Sequence, residues 1–203
     1  MELAATLLFE AKQRACEFRP LNQADVTHEY VEGLKESQAI LKRVSAKVSM
    51  RSQEKYINRI KASKNEIIFG LFFNKELVGT SGVQVSRNFL NGLINVEDGA
   101  ATIGILLFHK RYIGLGFGKV LVWASALLFH KSTRTNWFGA DMTRDNIPSL
   151  KSFLSCGFRR FDEDDILLKV ALHFPELVKP SFITNVAISK LDEPAHWDDQ
   201  AER

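Results

Sequence analysis

The stretch from His109 to Lys131, HKRYIGLGFGKVLVWASALLFHK, limits the possible fold more than any other part of the sequence. Three glycines within five residues separate an apolar run, Ala100 to Phe108, from a second one that begins at Val120. The first run has the length of a strand and the second that of a helix, so the pattern predicts strand, glycine turn and helix. The first amides of such a helix lack partners within it, and glycines let an anion approach them closely. The segment is therefore either a phosphate-binding turn or only a tight strand–helix connection.

Two well-known phosphate motifs do not fit these glycines. The dinucleotide fingerprint GxGxxG fits Gly114 and Gly116 but meets Lys119 where it needs a third glycine. The P-loop pattern GxxxxGK[ST] fails at Ile113 and at Val120. Neither a Rossmann domain nor a P-loop enzyme is therefore predicted.

Composition indicates an ordinary globular protein, with 45% hydrophobic and 25% charged residues in a chain of 203. The net charge of +3 is too small to indicate nucleic acid. Cys16 and Cys156 are far apart, and no cluster has zinc spacing, so we expect no metal and a reducing, cytoplasmic location. The longest apolar stretch, Val120 to Phe129, is too short to span a bilayer, so we expect no membrane partner.

Local patterns along the chain predict an interleaved α/β (α+β) protein. One helix is expected after a cap at Asp25, one after a cap at Ser52, one from about Gly118 to His130, and one from Asn146 to Gly157. Seven strands are expected, at Glu17–Arg19, Glu66–Phe73, Leu77–Ser86, Ala100–Phe108, Asn136–Thr143, Ile166–Leu172 and Ser181–Ser189. They predict a mixed sheet with helices on both faces. Residues 1–14 are expected to be an arm or a short helix, and residues 192–203 a polar, acidic tail.

A basic residue recurs every fourth position at Lys47, Arg51, Lys55 and Arg59. On a helix these side chains form one stripe. Such a stripe is either an ordinary solvated face or a rim that attracts an anionic substrate.

A second motif downstream of the glycines suggests a family. The glycine segment resembles (Q/R)xxGxG(A/G), and NIPSLKSFLSCGF resembles Nxx(A/S)xxx(Y/F)xxxGF, and the two occur in the order and at the separation typical of the GNAT superfamily of acetyl-CoA-dependent N-acyltransferases. The matching residues are Arg111, Gly114, Gly116 and Gly118, then Asn146, Ser149, Phe153, Gly157 and Phe158. The RPL…D opening is similar to the branch that includes ribosomal-protein, small-amine and amino-sugar N-acetyltransferases.

The resemblance implies a GNAT-like domain over residues 15–191, with a mostly antiparallel sheet of six to seven strands that splays at the cofactor site. It implies acetyl-CoA as co-substrate, with the pyrophosphate on the glycine turn and the pantetheine arm along the preceding strand. The implied cofactor residues are Ile105, Leu106, Leu107, Arg111, Tyr112, Gly114, Leu115, Gly116, Phe117, Gly118, Lys119, Asn146, Ser149 and Phe153. Asn146 would also serve as a helix cap without any ligand.

The sequence departs from the family where the proton-transfer groups are usually found. Phe153 stands where many members have the tyrosine acid, which leaves Ser149 as the candidate acid. Thr102 stands where related proteins often have a glutamate, and it cannot act as a base near neutral pH. Three other residues are candidate bases, namely Glu97, Asp98 and His109, although His109 could equally be a surface histidine without a role. The oxyanion is expected to meet a strand amide near Leu106 or Leu107.

Three functions are compatible with these residues. The first is an acetyltransferase for a small amine, for example an amino sugar or a nucleotide-linked amino sugar. The second is a protein N-terminal acetyltransferase, and the third is a non-catalytic acyl-CoA-binding module. All predict a monomer or homodimer that binds no nucleic acid. The acceptor surface is expected at about residues 25–63 and 87–99.

Overall fold

The computed structural model describes residues 3–38, 48–86, 89 and 99–189, which form a nine-stranded sheet and four α-helices. The strands are β1 (Thr6–Ala11), β2 (Arg14–Pro20), β3 (Glu66–Phe73), β4 (Glu76–Val85), β5 (Ala100–Leu107), β6 (Trp137–Thr143), β7 (Arg159–Glu163), β8 (Leu167–His173) and β9 (Ile183–Ser189). The helices are α1 (His28–Gln38), α2 (Met50–Ala62), α3 (Phe117–Thr133) and α4 (Ile147–Leu154). None of the helices in these ranges has the length and hydropathy needed to cross a membrane.

The strand order in the sheet is β7-β8-β6-β5-β4-β3-β2-β1-β9. All described neighbours are antiparallel except β5 and β6, which run parallel. The β5–β6 ladder covers only Ala100–Thr102 of β5, although that strand continues to Leu107. The two strands therefore separate beyond Thr102, and the predicted splay of the sheet lies there.

The two faces of the sheet are covered by different helices. On one face, α3 and α4 pack on alternate strand residues, as where Phe129 of α3 meets Phe138 of β6 edge to face. On the other face, α1 and α2 form a smaller core in which Tyr30 meets Phe108. In β5, Ile103 faces α3, whereas Leu106 packs with the α1–α2 core. The expectation of a mixed sheet with helices on both faces is confirmed.

The sheet has two strands more than the six to seven expected, and one of them is the N-terminal segment. Residues 6–11 are not an arm or a short helix, because β1 pairs with β2 and with the distant β9 and buries Leu7, Phe9 and Ala11. A short continuous apolar run is compatible with helix or strand, and only the partner strands decide between them. The other additional strand, β7, pairs with β8 at the sheet edge. None of its residues is buried, so it lacks the alternation of buried and exposed residues that would predict a strand.

Two predicted helix caps are wrong and one is confirmed. Asp25 does not cap α1, because it pairs with Arg19, and the Tyr30 amide donates to the Thr27 hydroxyl instead. The cap of α2 is Ser49 rather than Ser52, with Ser52 as the other half of a capping box.

Helix α4 begins as predicted, with Asn146 as its cap and Pro148 in its first turn. The predicted tail at residues 192–203 lies outside the described residues.

Candidate functional site

The glycine turn leaves several backbone amides without a protein acceptor. Gly114 and Gly116 have φ values of +80° and +91°, and Gly116 is the cap of α3. The amides of Leu115, Lys119 and Val120 donate to nearby carbonyls in the turn. Within the described residues, no acceptor is seen for the amides of Gly114, Gly116, Phe117 and Gly118. These amides lie at the positive end of a helix of 17 residues, which suits an anion.

Three elements of the predicted site meet at Gly118. A β-carbon there would lie 2.6 Å from the Oγ of Ser152 in α4 and 3.8 Å from the Cδ1 of Ile105 in β5. The first turn of α3 is therefore close to both α4 and the separated part of β5. The structure thus places the two sequence motifs and the predicted pantetheine strand next to one another.

The hydrogen-bond pattern of β5 determines which of its amides face the opening between β5 and β6. Ser86 donates to Ala100, and Phe108 donates to Val78, at the two ends of the β4–β5 ladder. Because bonded pairs alternate in an antiparallel ladder, the even-numbered residues of β5 bond to β4. Ile105 and Leu107 therefore direct their backbone groups away from β4, towards the opening, whereas Leu106 pairs with Thr80. The carbonyl of Leu107 already accepts from the Ser37 hydroxyl at 3.1 Å. Of the two amides predicted to meet the oxyanion, only that of Leu107 faces the opening.

The charged and aromatic side chains of the glycine segment differ in whether they are free to contact a ligand. Arg111 is exposed but already forms an ion pair with Glu76, whereas the Nζ of Lys119 has no partner among the described residues. The hydroxyl of Tyr112 also donates to Glu76, at 2.5 Å, and burial raises the pKa of this phenol. Phe117 is buried between Phe73 and Tyr112. The Tyr112 amide already donates to the His109 carbonyl, so of these two residues only the Phe117 amide lacks an acceptor among the described residues.

The three predicted residues of α4 also differ. The Oδ1 of Asn146 accepts from the Ser149 amide at 3.2 Å, so the cap role of Asn146 is realised and engages this oxygen. The Ser149 side chain is half-buried, and its hydroxyl has no partner among the described residues. Phe153 lies in the core against Phe158, with ring centroids 5.0 Å apart, and is only 2% exposed. The Phe153 side chain therefore packs in the core, which was one of its two predicted roles, and its contact with the cofactor stays a prediction.

Of the candidate bases predicted from the sequence, only His109 lies within the described residues. Glu97 and Asp98 lie outside the described residues. His109 follows β5 and lies against α1, with its Nδ1 3.4 Å from a carboxylate oxygen of Glu36. Thr102 is on the α1–α2 face, where its hydroxyl donates to the Gln84 carbonyl at 3.4 Å. None of these described groups is a free carboxylate at the opening.

A carboxylate that the sequence analysis did not identify, that of Asp141, is on the strand that borders the opening. In β6, Phe138, Ala140 and Met142 are buried on the α3 face, so Asp141 points to the α1–α2 face, where it is exposed. Thr102 pairs with Gly139, so the same register would place Asp141 beside Gly104 across the opening. The alternation of GADMT could have indicated the face of Asp141, but the register to β5 could not be predicted locally.

The basic stripe is only partly described. Arg51, Lys55 and Arg59 are exposed on α2, and Lys47 lies outside the described residues. Arg59 pairs with Glu66 at 3.1 Å. This arrangement is that of an ordinary solvated helix face.

Comparisons with known proteins identify the fold. No protein-family model matches the sequence, and no curated protein sequence matches it. RimJ of Mycobacterium smegmatis, in complex with CoA-disulfide, superimposes with a TM-score of 0.68 at 18% identity over 86% of this chain and 90% of that one. AAC(6′)-Ib, in complex with paromomycin and acetyl-CoA, gives 0.62 at 20% identity over 78% and 93%. The Campylobacter jejuni N-acetyltransferase PseH gives 0.53 at 16% identity over 77% and 97%.

At these identities the similarity establishes the fold and not the acceptor. The chain has the GNAT fold, as the two motifs predicted. The two strands beyond the predicted seven, β1 and β7, extend the sheet without changing this assignment.

Proposed function

We propose that this protein is an acetyl-CoA-dependent N-acetyltransferase that acetylates the primary amine of a small molecule, with amino sugars among the acceptors. The observation that carries the proposal is the row of amides at the start of α3 that have no acceptor among the described residues, next to the part of β5 that no longer pairs with β6. The amides suit a pyrophosphate, and the free edge of β5 suits an extended arm that pairs with it like an added strand.

The two substrates would enter from opposite faces of the sheet. The glycine turn and Gly118 lie on the α3 face, whereas Asp141 lies on the α1–α2 face. The opening between β5 and β6, where their ladder ends, would connect the two faces. A thioester held along β5 would therefore meet an amine that arrives from the α1–α2 side.

The residues of this chain would then assist the transfer in three ways. The amide of Leu107 would donate to the oxygen of the thioester carbonyl as negative charge develops there. Asp141 would receive a proton as the ammonium group of the acceptor becomes a nucleophilic amine. Ser149 would supply a proton to the departing sulfur. In the net reaction a C–N bond forms, the C–S bond breaks, and one proton is released to solvent.

Calorimetric titration of acetyl-CoA, with pantetheine as a control ligand, tests the cofactor assignment. Gly114→Asp and Gly114→Asn form a matched pair, because Asn and Asp both tolerate positive φ and no described atom crowds this position. Only the aspartate brings a negative charge to the amides. We expect the wild type and Gly114→Asn to bind acetyl-CoA at micromolar concentration, and Gly114→Asp to bind at least about tenfold more weakly.

Equal binding by the two variants would remove the glycine turn as the phosphate site. Turnover is then measured by thiol release with glucosamine, ethanolamine and an alanine-initiated peptide. Turnover of the peptide alone would favour the N-terminal acetyltransferase, and tight cofactor binding without turnover of any amine would favour the non-catalytic module.

A further inference from the structure

Gly82 and Gly104 form a bare patch in the middle of the sheet. They are directly opposite each other in the β4–β5 ladder, and both are exposed. No described atom lies within 4 Å of the β-carbon that either position would carry. Neither residue is among the glycines with positive φ. A residue with a side chain would therefore fit both positions without strain.

Other glycines of the sheet are explained by their neighbours. A β-carbon on Gly70 would lie 2.4 Å from Leu21, one on Gly79 would lie 2.7 Å from the Leu106 carbonyl oxygen, and one on Gly139 would lie 2.4 Å from Phe89. The packing requires glycine at those three positions. It does not require glycine at 82 and 104, where glycine weakens a strand relative to residues with side chains. Glycine in a strand interior without a packing reason is typical of a site where a ligand approaches the backbone.

The surroundings of the patch indicate what could lie on it. The patch is on the α1–α2 face, with the buried side chain of Ile68 beside Gly82 in the register. Gln84 and Thr102 form the next row of the sheet, and Thr80 and Leu106 form the row on the other side. If the β5–β6 register is extended beyond Thr102, Asp141 falls across the opening from Gly104. The patch thus has polar groups along one side, and on this register a carboxylate at the end nearest the opening.

We propose that Gly82 and Gly104 are the floor of the acceptor subsite and that its occupant is a six-membered ring carrying a primary amine, as in an amino sugar. One face of the ring would lie on the bare peptide groups. Its hydroxyls would be within reach of Gln84 and Thr102, and its ammonium group would face Asp141. This inference rests on the proposed function and narrows its acceptor to a class.

Two substitutions that place a side chain on the patch test whether these glycines serve acceptor binding or the stability of the fold. Gly104→Val and Gly82→Val place a β-branched side chain on the patch, where the strand itself tolerates or favours one. We expect melting temperatures equal to or above that of the wild type and an unchanged Kd for acetyl-CoA. We expect kcat/KM for glucosamine to fall at least about tenfold, and to fall by a larger factor than kcat/KM for the small linear amine ethanolamine.

Each alternative result would contradict either the assignment of the two glycines to the acceptor subsite or the proposed function itself. Unchanged glucosamine turnover by folded variants would overturn the assignment of the two glycines to the acceptor subsite. An equal loss of kcat/KM for glucosamine and ethanolamine would overturn it as well. A large drop in melting temperature would show that the fold requires these glycines and would also overturn it. A wild type that binds acetyl-CoA and acetylates ethanolamine but no ring amine would overturn the ring assignment alone. A wild type that does not bind acetyl-CoA would overturn the proposed function.

Discussion

The ring of Phe182 lies against Gly116, so closely that a β-carbon at position 116 would come within 3.0 Å of the ring Cζ. Phe182 directly precedes β9, so the C-terminal strand begins where α3 begins. Gly114 also has a positive φ, but no described atom lies within 4 Å of its β-carbon position. The two glycines therefore share a backbone requirement and differ in their packing.

Alanine substitutions at Gly114 and Gly116 should distinguish the cost of a positive φ from the cost of a close contact with Phe182. Gly114→Ala should lower the free energy of unfolding by about 1 kcal/mol through its positive φ alone. Gly116→Ala should lower it by about 2–3 kcal/mol, because contact with Phe182 adds to the strain. Urea unfolding measures both, and Phe182→Ala should recover part of the loss in the double variant but not at Gly114. Equal costs for the two alanines would contradict a tight contact at Phe182.

Lys119 should matter more than Arg111 for binding acetyl-CoA. Arg111 is already paired with Glu76, whereas Lys119 has a free ammonium group within the described structure and lies in the first turn of α3. Lys119→Ala should weaken binding about fivefold and Arg111→Ala less than about twofold, as measured by calorimetry at low salt. The opposite order would mean that Arg111 exchanges Glu76 for the cofactor.

Asp141→Asn should reduce catalysis and leave the cofactor site intact. An amide of similar shape cannot take the proton of the acceptor, so kcat should fall about 100-fold. The Kd for acetyl-CoA should stay the same, because Asp141 lies on the opposite face from the glycine turn. Asp165→Asn, at an exposed position between β7 and β8, is the matched control and should retain full activity. A kcat for Asp141→Asn equal to that of the control would remove Asp141 as the proton acceptor.

Ser149→Ala tests the proposed acid without disturbing α4. The Asn146 cap uses the backbone amide of Ser149, and alanine retains that amide. We expect kcat to fall about tenfold with little change in KM. Ser155→Ala, at the other end of the same helix, is the control. If both variants turn over like the wild type, the thiolate leaves without help from Ser149.

His130 should make the fold less stable in mild acid. Its ring stacks on Phe174 with centroids 3.5 Å apart, and its Nδ1 lies 2.9 Å from the Thr135 carbonyl oxygen. Burial lowers the pKa of His130 below its usual 6.5. The unfolded chain then binds a proton more readily than the folded one, so stability is highest above pH 6.5 and falls as the pH drops below it.

Urea unfolding between pH 5 and pH 8 measures this effect. His130→Gln should flatten the dependence in that range. An unchanged slope would show that other groups cause it.

Several features of the fold and site could be predicted because they are local. The β3–β4 hairpin follows from two apolar runs separated by a short polar turn, in which Asn74 and Lys75 adopt positive φ. The start of α4 follows from Asn146 and Pro148, and the glycine turn from its place between an apolar strand and an apolar helix. The family resemblance then indicated which of these elements would bind the cofactor.

Other features depend on residues far apart in the sequence. The strand at residues 6–11 needs β9 as a partner. The Tyr112 hydroxyl is held by Glu76, and the Phe153 ring packs against Phe158. The motif named both aromatic residues as candidate cofactor contacts. It could not predict that both side chains pack against protein, because that depends on how separate elements of the fold pack together.

By itself, the sequence determined the order of the elements other than β1 and β7, the glycine turn and the capped helix α4, because hydrophobic period and turn chemistry act over a few residues. Only the tertiary structure decided where the sheet opens, which amides of β5 face the opening, and that Gly82, Gly104 and Asp141 share one face. Those facts follow from strand register, which side chains from distant parts of the chain set together. A shift of one residue in either strand would place Asp141 or Gly104 on the other face.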